Sequence, residues 1–290
     1  MGKIAIVTDS NSGITPKIAE EMGVFLLPMP FMIDGKEYFD GKNLEEGWFY
    51  ERQRADAEIL SSQPSPASVT GLWDEILEEY DEIVHIPTSK SLSNSYSTAL
   101  TLSEDYGGRV HVVDNKRISV TLRRSVEDAL ALADAGKDAG EISAKLEETA
   151  LDSSIYAAVA TLKYLKKGGR ITPAVAAIGT VLRLKPVLQI QGEKLDSFSN
   201  ARTLAQAKRV MIDAVKSDIE NRFGGLDAMD VHIDMAYAND RKAELEFRDD
   251  VAEAFPGFEI GYVDPLSLSI GCHIGEGAIA VAVSRKIHID

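Results

Sequence analysis

Apolar and polar positions change rhythm about halfway along the chain. In the first half, short runs of Val, Ile and Leu alternate with longer segments whose apolar residues return every three or four positions. That is the pattern of strands alternating with amphipathic helices. Lys3 to Val7, Val24 to Leu27, Glu82 to Ile86 and Arg109 to Val113 read as strands. Thr15 followed by Pro16 caps a helix. Asn43 with Glu46 three residues on has the form of a capping box for a helix through about Ala55. Ser65 and Pro66 open another helix that ends near Tyr80, and a Ser-rich turn leads into a helix from about Ser93. Two further helices cover 119–135 and 139–150, the second opened by Asp138 with Glu141. Ile33-Asp34-Gly35-Lys36 predicts a tight hairpin, because Asp-Gly suits a type I′ turn. The alternation predicts a parallel sheet with helices on its faces.

Beyond about residue 150 the pattern differs. Ile155 to Ala160 reads as a strand, Lys166 to Arg170 as a turn, and Pro173 to Leu182 as a helix of small residues that include Ala174, Ala176, Ala177 and Gly179. Val187 to Ile190 and Leu195 to Phe198 flank Gly192 as a hairpin, and Thr203 to Arg222 is a long helix. Val231 to Tyr237, Glu259 to Val263 and Ala278 to Val283 are strands with helices between them. The expected organisation is an N-terminal α/β domain over 1–150 and a C-terminal α+β domain with a mixed sheet over 151–290.

Composition narrows the function classes. The hydrophobic share of 44% and charged share of 27% are those of an ordinary globular protein. No run approaches the roughly 18 apolar residues of a membrane span, and Ile4 to Val7 is too short for a signal-peptide core. The single cysteine, Cys272, excludes an internal disulfide and a cysteine metal cluster. These features predict a cytoplasmic protein without stable membrane insertion. A net charge of −15 sets nucleic-acid binding aside. The charge is uneven: the first 150 residues carry 14 basic and 27 acidic side chains, the remainder 17 and 19. Between Asp152 and Glu193 there is no acidic residue, while Lys163, Lys166, Lys167, Arg170, Arg183 and Lys185 fall there. Presented on one surface, such a stretch draws anions; as a charge run alone it reads better as solvated side chains.

Five polar segments are candidates for chemistry. Thr8-Asp9-Ser10 ends the first strand, where open parallel sheets bind ligands; taken alone it reads better as a turn whose side chains bond backbone groups. Asn11 stands where a phosphatase of the haloacid dehalogenase type needs a second aspartate. Ser61-Ser62-Gln63-Pro64-Ser65 and Ser89-Lys90-Ser91-Leu92-Ser93-Asn94-Ser95 each place hydroxyls at a helix start. Both read alternatively as capping loops. In Lys166-Lys167-Gly168-Gly169-Arg170 the glycines permit a tight turn, after which an arginine can grip a carboxylate. Lysines followed by glycine are also an ordinary helix C-terminus. Cys272-His273-Ile274-Gly275-Glu276-Gly277 offers His273 as a donor, but sequence neighbours do not assemble a nucleophilic triad.

In this order and spacing, the five segments resemble the DegV family of fatty-acid-binding proteins over roughly residues 3–284. Leu165-Lys166-Lys167-Gly168-Gly169-Arg170-Ile171 is the most specific part, followed by Lys185-Pro186-Val187-Leu188. Arg202-Thr203 matches the end of the family's Lys-x-Arg-Thr. The resemblance implies a parallel-sheet α/β domain packed on an α+β domain, with a long-chain fatty acid in a tunnel between them. It implies no cofactor and no metal, and a carrier that presents the carboxylate to fatty acid kinase for phosphorylation to an acyl phosphate, so not itself an enzyme. Carried over by position, the carboxylate meets Ser61, Ser93, Arg170 and His273. Ser62, Ser65, Asn94, Gly169, Thr8 and Asp9 lie in the surrounding pocket, and Arg202 faces the partner. The sequence departs from the family at Ser61 (usually threonine), Ser91 and Asn94 (glycines), Asn200 (lysine) and Glu276 (proline). Two other readings stand beside this one. One is an enzyme acting on a small anion through Asp9 and His273. The other is a lipid-responsive regulatory protein without a kinase partner.

Overall fold

The structure, a computed structural model, describes residues 2–177, 184–192, 194–227 and 229–289. From the N-terminus the elements are β1 (Ile4–Asp9), α1 (Pro16–Met22), β2 (Phe25–Leu27), β3 (Pro30–Ile33), β4 (Lys36–Phe39), α2 (Glu46–Arg54), β5 (Ile59–Ser61), α3 (Pro66–Ile76), β6 (Glu82–Ile86), α4 (Ser95–Ser103), β7 (Val110–Val112), α5 (Ser119–Asp134) and α6 (Ala139–Glu148). Then follow β8 (Ser153–Ala158), α7 (Lys163–Gly168), α8 (Pro173–Ala177), β9 (Lys185–Ile190), β10 (Asp196–Ala201), α9 (Leu204–Ser217), β11 (Val231–Tyr237), α10 (Arg241–Ala254), β12 (Ile260–Pro265), α11 (Leu268–Ile274) and β13 (Ile279–Arg285). The chain divides into two compact units. One holds residues 1–45, 57–151 and 287–290; the other holds 46–56 and 152–286. Helix α2 therefore belongs to the second unit although its flanks belong to the first.

The first unit carries a four-stranded sheet in the order β2-β1-β6-β7, all parallel. Strand alternation sends Ile6, Val84 and Ile86 to one face, against Leu122, Val126 and Ala129 of α5 and Ile142 and Leu146 of α6. Ala5, Val7 and Ile83 go to the other face, against Val69, Trp73 and Ile76 of α3 and Ala99 of α4. Both faces are covered, as parallel sheets require. A three-stranded antiparallel sheet, β4-β3-β5, is added to this unit. Its hairpin turns at Asp34 (φ 49°) and Gly35 (φ 78°), the left-handed pair that a type I′ turn needs.

The second unit carries a six-stranded mixed sheet in the order β10-β9-β8-β13-β11-β12, antiparallel except for β11 with β12. Val187, Met235, Val281 and Val283 of the sheet pack with Met211 and Val215 of α9 and Phe247 and Val251 of α10. Helix α9 runs on as a π-helical segment over Asp218–Arg222. There Asp218 accepts from the Tyr156 hydroxyl at 2.7 Å and pairs with Arg222 at 3.2 Å.

Several boundaries differ from the sequence expectation. The Asn43 side chain accepts from the Phe39 backbone N–H at 2.7 Å, closing the loop before α2, which starts at Glu46. Helix α3 stops at Ile76, because Glu75, Glu78 and Glu79 crowd its negative end. Helix α4 starts at Ser95, since the Ser93 hydroxyl accepts from Ser95 N–H and so competes with an earlier helical turn. Of the expected Lys166–Arg170 turn, Lys166 to Gly168 are the last part of α7, Gly169 closes it at φ 67° and Arg170 follows. Of the helix expected over Pro173 to Leu182, Pro173–Ala177 is helical and the rest, Gly179 included, lies outside the described residues. Arg183 of the basic stretch lies outside them as well.

Candidate functional site

Strands β1 and β6 lie side by side while the chain leaves them toward opposite edges of the sheet, to β2 and to β7. That is the switch point of an open parallel sheet, where ligands collect beyond the strand ends. The polar groups there are fully engaged. The Thr8 hydroxyl donates to the Ile86 carbonyl at 2.8 Å. Asp9 is 1% exposed and accepts from the Thr88 N–H and hydroxyl, both at 2.8 Å, and from Asn11 N–H at 3.0 Å. Burial pushes the Asp9 carboxyl above its ordinary range, against the pull of those hydrogen bonds. Asp9 thus laces the end of β1 to the segment after β6.

The hydroxyl-bearing turns of this unit sit beside the same switch point. Ser61 is the half-buried last residue of β5, opposite Phe31, and the backbone N–H of the exposed Ser62 donates to Pro30. Ser65 caps α3, accepting from Ser68 N–H at 3.1 Å. Half-buried Ser93 shares a 2.8 Å hydrogen bond with Ser95, and exposed Asn94 precedes α4 with no side-chain cap bond. The Gln63 amide donates to the Thr98 hydroxyl at 2.8 Å, which ties the 61–65 segment to α4. Asp9, His85, Ser95 and Thr98 share a small cavity with Leu27, Pro64 and Val69.

In the second unit a different chemistry meets. Helix α7 delivers Gly168, then Gly169 turns the chain through the left-handed region, and Arg170 follows. Arg170 donates to the Gly168 carbonyl, which folds its guanidinium back over the helix end. Helix α11, capped by Ser267, brings His273 against the same glycine. Burial, with the Arg170 charge adding to it, holds the His273 imidazole down to about 4. At neutral pH this corner therefore presents one fixed positive charge and one neutral imidazole, a pair of donors suited to a carboxylate. Glu276, three residues on, is neutralised inside the unit. Both of its oxygens accept from Arg54 at 2.8 Å, and one accepts from Asn239 at 2.7 Å. The Cys272 thiol donates to the Ser269 carbonyl at 3.1 Å. Arg202 is exposed at the β10–α9 junction, where its backbone N–H donates to Gln206 at 2.9 Å. Among the described residues no group of three or more His, Cys, Asp or Glu is placed to hold a metal ion, and no helix is long and apolar enough to cross a membrane.

Gly168 is required at its position because a Cβ there would collide with the His273 imidazole. Gly168→Ala is expected to displace that ring, at a cost of about 1–3 kcal/mol. The check is loss of the wild-type His273 imidazole resonance together with a lower denaturation midpoint. An unchanged resonance would mean that the ring is not seated on Gly168.

Sequence reasoning missed the residues behind this corner. Tyr50 and Gln53, one turn apart on α2, are buried together with Phe49. The available signal was a glutamine on the apolar face of a helix, at i+3 from Tyr50 and i+4 from Phe49.

The two sheets and the two polar corners define a two-unit α/β protein with an arginine–histidine corner in its second unit and hydroxyl-bearing turns in its first. The chain belongs to the DegV family: the family described as "Uncharacterised protein, DegV family" matches residues 3–286. A DegV domain-containing protein of Deinococcus radiodurans is 31% identical over 285 residues, covering 97% of this chain and 98% of that one. Among solved structures, a DegV family protein from Thermus thermophilus, described by its fatty acid binding, is similar with a TM-score of 0.89 and 29% identity. The match covers 98% of this chain and 99% of that one. A fatty acid binding DegV family protein from Streptococcus agalactiae is similar with a TM-score of 0.87 and 25% identity, over 99% and 100% of the two chains. The fold is therefore the DegV fold.

Proposed function

We propose that this protein binds one long-chain fatty acid and presents its carboxylate to a fatty acid kinase, acting in the cytoplasm as a carrier. The observation that carries the fatty-acid reading is the whole-length likeness to the fatty acid binding Thermus protein. The Arg170–His273 corner supplies what such a ligand needs at its charged end. Burying a carboxylate without donors is very costly, and an arginine beside a neutral imidazole meets that need. By position in the family, Ser61 and Ser93 are the hydroxyls assigned to the ligand in this reading, with Ser62, Asn94 and Gly169 as further pocket residues and Thr8, Asp9 and Ser65 supporting the turns. The acyl chain contributes roughly 0.8 kcal/mol per buried CH₂, so tight binding needs no chemical step. Transfer of phosphate belongs to the kinase in this reading, and exposed Arg202 is the residue assigned to meet it. A reacting role for Asp9 is disfavoured, because its buried carboxylate already accepts three hydrogen bonds.

Delipidated protein is expected to take up one equivalent of a C16–C18 fatty acid, read by native mass spectrometry. No uptake would end the proposal. Arg170→Ala should weaken binding by about tenfold to a hundredfold, the worth of one charge-assisted hydrogen bond. Arg170→Lys should recover part of that loss, since it keeps the charge without the planar fork. Equal affinity for wild type and Arg170→Ala, with unchanged circular dichroism, would remove Arg170 from the head-group site.

A further inference from the structure

We propose that Gln53 is a positioning residue for His273: from α2 it holds the end of α11 and thereby fixes where the imidazole stands. The inference rests on the reading of the Arg170–His273 corner as the head-group site. It also makes a claim about α11 that is tested independently of any ligand.

A helix leaves its last four carbonyls without partners inside the helix. In α11 these carbonyls flank His273. The Gly271 carbonyl accepts from Gly275 N–H at 2.9 Å. The side-chain amide of Gln53 donates to that same carbonyl at 3.1 Å and reaches the Cys272 carbonyl at 3.4 Å. Gln53 is 4% exposed, so these bonds are shielded from water and from salt. One turn earlier on α2, the Tyr50 hydroxyl lies so close to Gly271 that an added Cβ would sit 2.5 Å from it. Helix α11 is thus pressed against α2 at Gly271 and bonded to it at the Gly271 and Cys272 carbonyls.

The same helix also touches the element that leads to Arg170. The Tyr164 hydroxyl of α7 donates to the Gln53 backbone carbonyl at 3.3 Å. Gln53 therefore stands between α7, whose end leads into Arg170, and α11, which carries His273. Two ion pairs surround it, Arg54 with Glu276 and Lys163 with Asp56, but all of these side chains except that of Glu276 are more than half exposed. Exposed pairs of this kind hold geometry weakly. The buried amide is the group that can set the position of α11.

The test uses the full-length, ligand-free protein and two substitutions. Gln53→Met keeps the length and removes the donor. Gln53→Glu removes the donor when ionised and restores one when protonated. The readout is the imidazole resonance of His273 in isotope-labelled protein, with His85 and His111 as internal references and circular dichroism as the folding control. In Gln53→Met the His273 resonance is expected to shift or broaden while the references stay. In Gln53→Glu it should return toward the wild-type position as pH is lowered from 8 to 5, and in Gln53→Met it should not. Oleate affinity should fall by about tenfold in Gln53→Met. A His273 resonance unmoved in folded Gln53→Met overturns the inference; if that variant does not fold, the Gln53→Glu titration decides in the same way. A moved resonance with unchanged oleate affinity leaves Gln53 in its role and removes His273 from the head-group site, so the two claims fail separately.

Discussion

Replacing Glu244 with methionine is expected to stabilise the protein by about 3 kcal/mol at pH 7, and the gain should grow with pH. Glu244 lies on the inner face of α10, at i, i+3 and i+7 with Phe247 and Val251, and is 0% exposed. Neither carboxylate oxygen has a hydrogen-bond partner. Burial pushes its pKa up to about 9; Lys208 pulls the other way and Asp240 adds to the rise. Lys208 is itself engaged by Asp250 at 3.1 Å, so it does not rescue the charge. From pH 4.5 upward the unfolded chain releases this proton and the folded chain keeps it. The stability is therefore fully present below pH 4.5 and is lost as pH rises toward 9. At pH 7 about 2.5 pH units of that window have been crossed, which gives the figure of about 3 kcal/mol. Methionine fills nearly the same volume and carries no proton. Denaturant midpoints of wild type and Glu244→Met at pH 5, 7 and 9 should diverge steadily. A constant difference across that range would show that Glu244 is not held protonated.

On the acid side His85 is expected to contribute a loss of stability, opposite in sign to the gain that Glu244 gives over the same range. Its side chain is 2% exposed in β6, with Trp73 packed edge-on at 5.5 Å and no hydrogen-bond partner at Nδ1. Burial alone holds its pKa down to about 3. Above pH 6.5 both folded and unfolded chains carry a neutral imidazole. Below it the unfolded chain takes a proton that the folded chain refuses, so stability falls with pH toward about 3. By pH 4.5 the loss from this residue is about 2–3 kcal/mol. His273, held down to about 4, adds a loss of the same sign. His85→Phe keeps the ring against Trp73 and removes the His85 share, so its stability relative to the wild type should rise by about 2–3 kcal/mol between pH 7 and 4.5. A variant whose acid loss equals the wild type's would assign that loss to other groups.

The strand–helix rhythm was legible in the sequence wherever one principle acted alone. Thr15-Pro16, Asp138 with Glu141 and Asp34-Gly35 each carry a local signal strong enough to fix an element end, and each appears as read. Glu82–Ile86 and Val231–Tyr237 match to the residue, because their apolar runs are bounded by turn chemistry. Asn43 misled because asparagine bonds backbone groups on either side, and the loop carbonyl-and-amide geometry at Phe39 won over the helix. Of the candidate site, Gly168, Gly169, Arg170 and His273 were legible as chemistry and are brought together by α7 and α11. Asp9 was legible only as a polar strand end; two of its three buried hydrogen bonds come from Thr88, 79 positions away. Gln53 signalled only that a polar side chain lies on the apolar face of α2; its partners on α11 are set by tertiary packing and not by spacing.

The placement of α2 also fixes an order of events during synthesis. Gln53 precedes the carbonyl it caps by 218 residues. At about 5–20 residues per second, the growing chain displays Tyr50 and Gln53 for roughly ten to forty seconds before α11 exists. The first unit's parallel sheet can close in that time with the 46–56 segment looped out. The second unit is complete only when translation has passed Lys286, because β13 joins β8 to β11 in its sheet. A chain stalled or cut anywhere between β8 and α11 would carry an unsatisfied helix on an otherwise folded front half, a ready mark for chaperone capture or proteolysis.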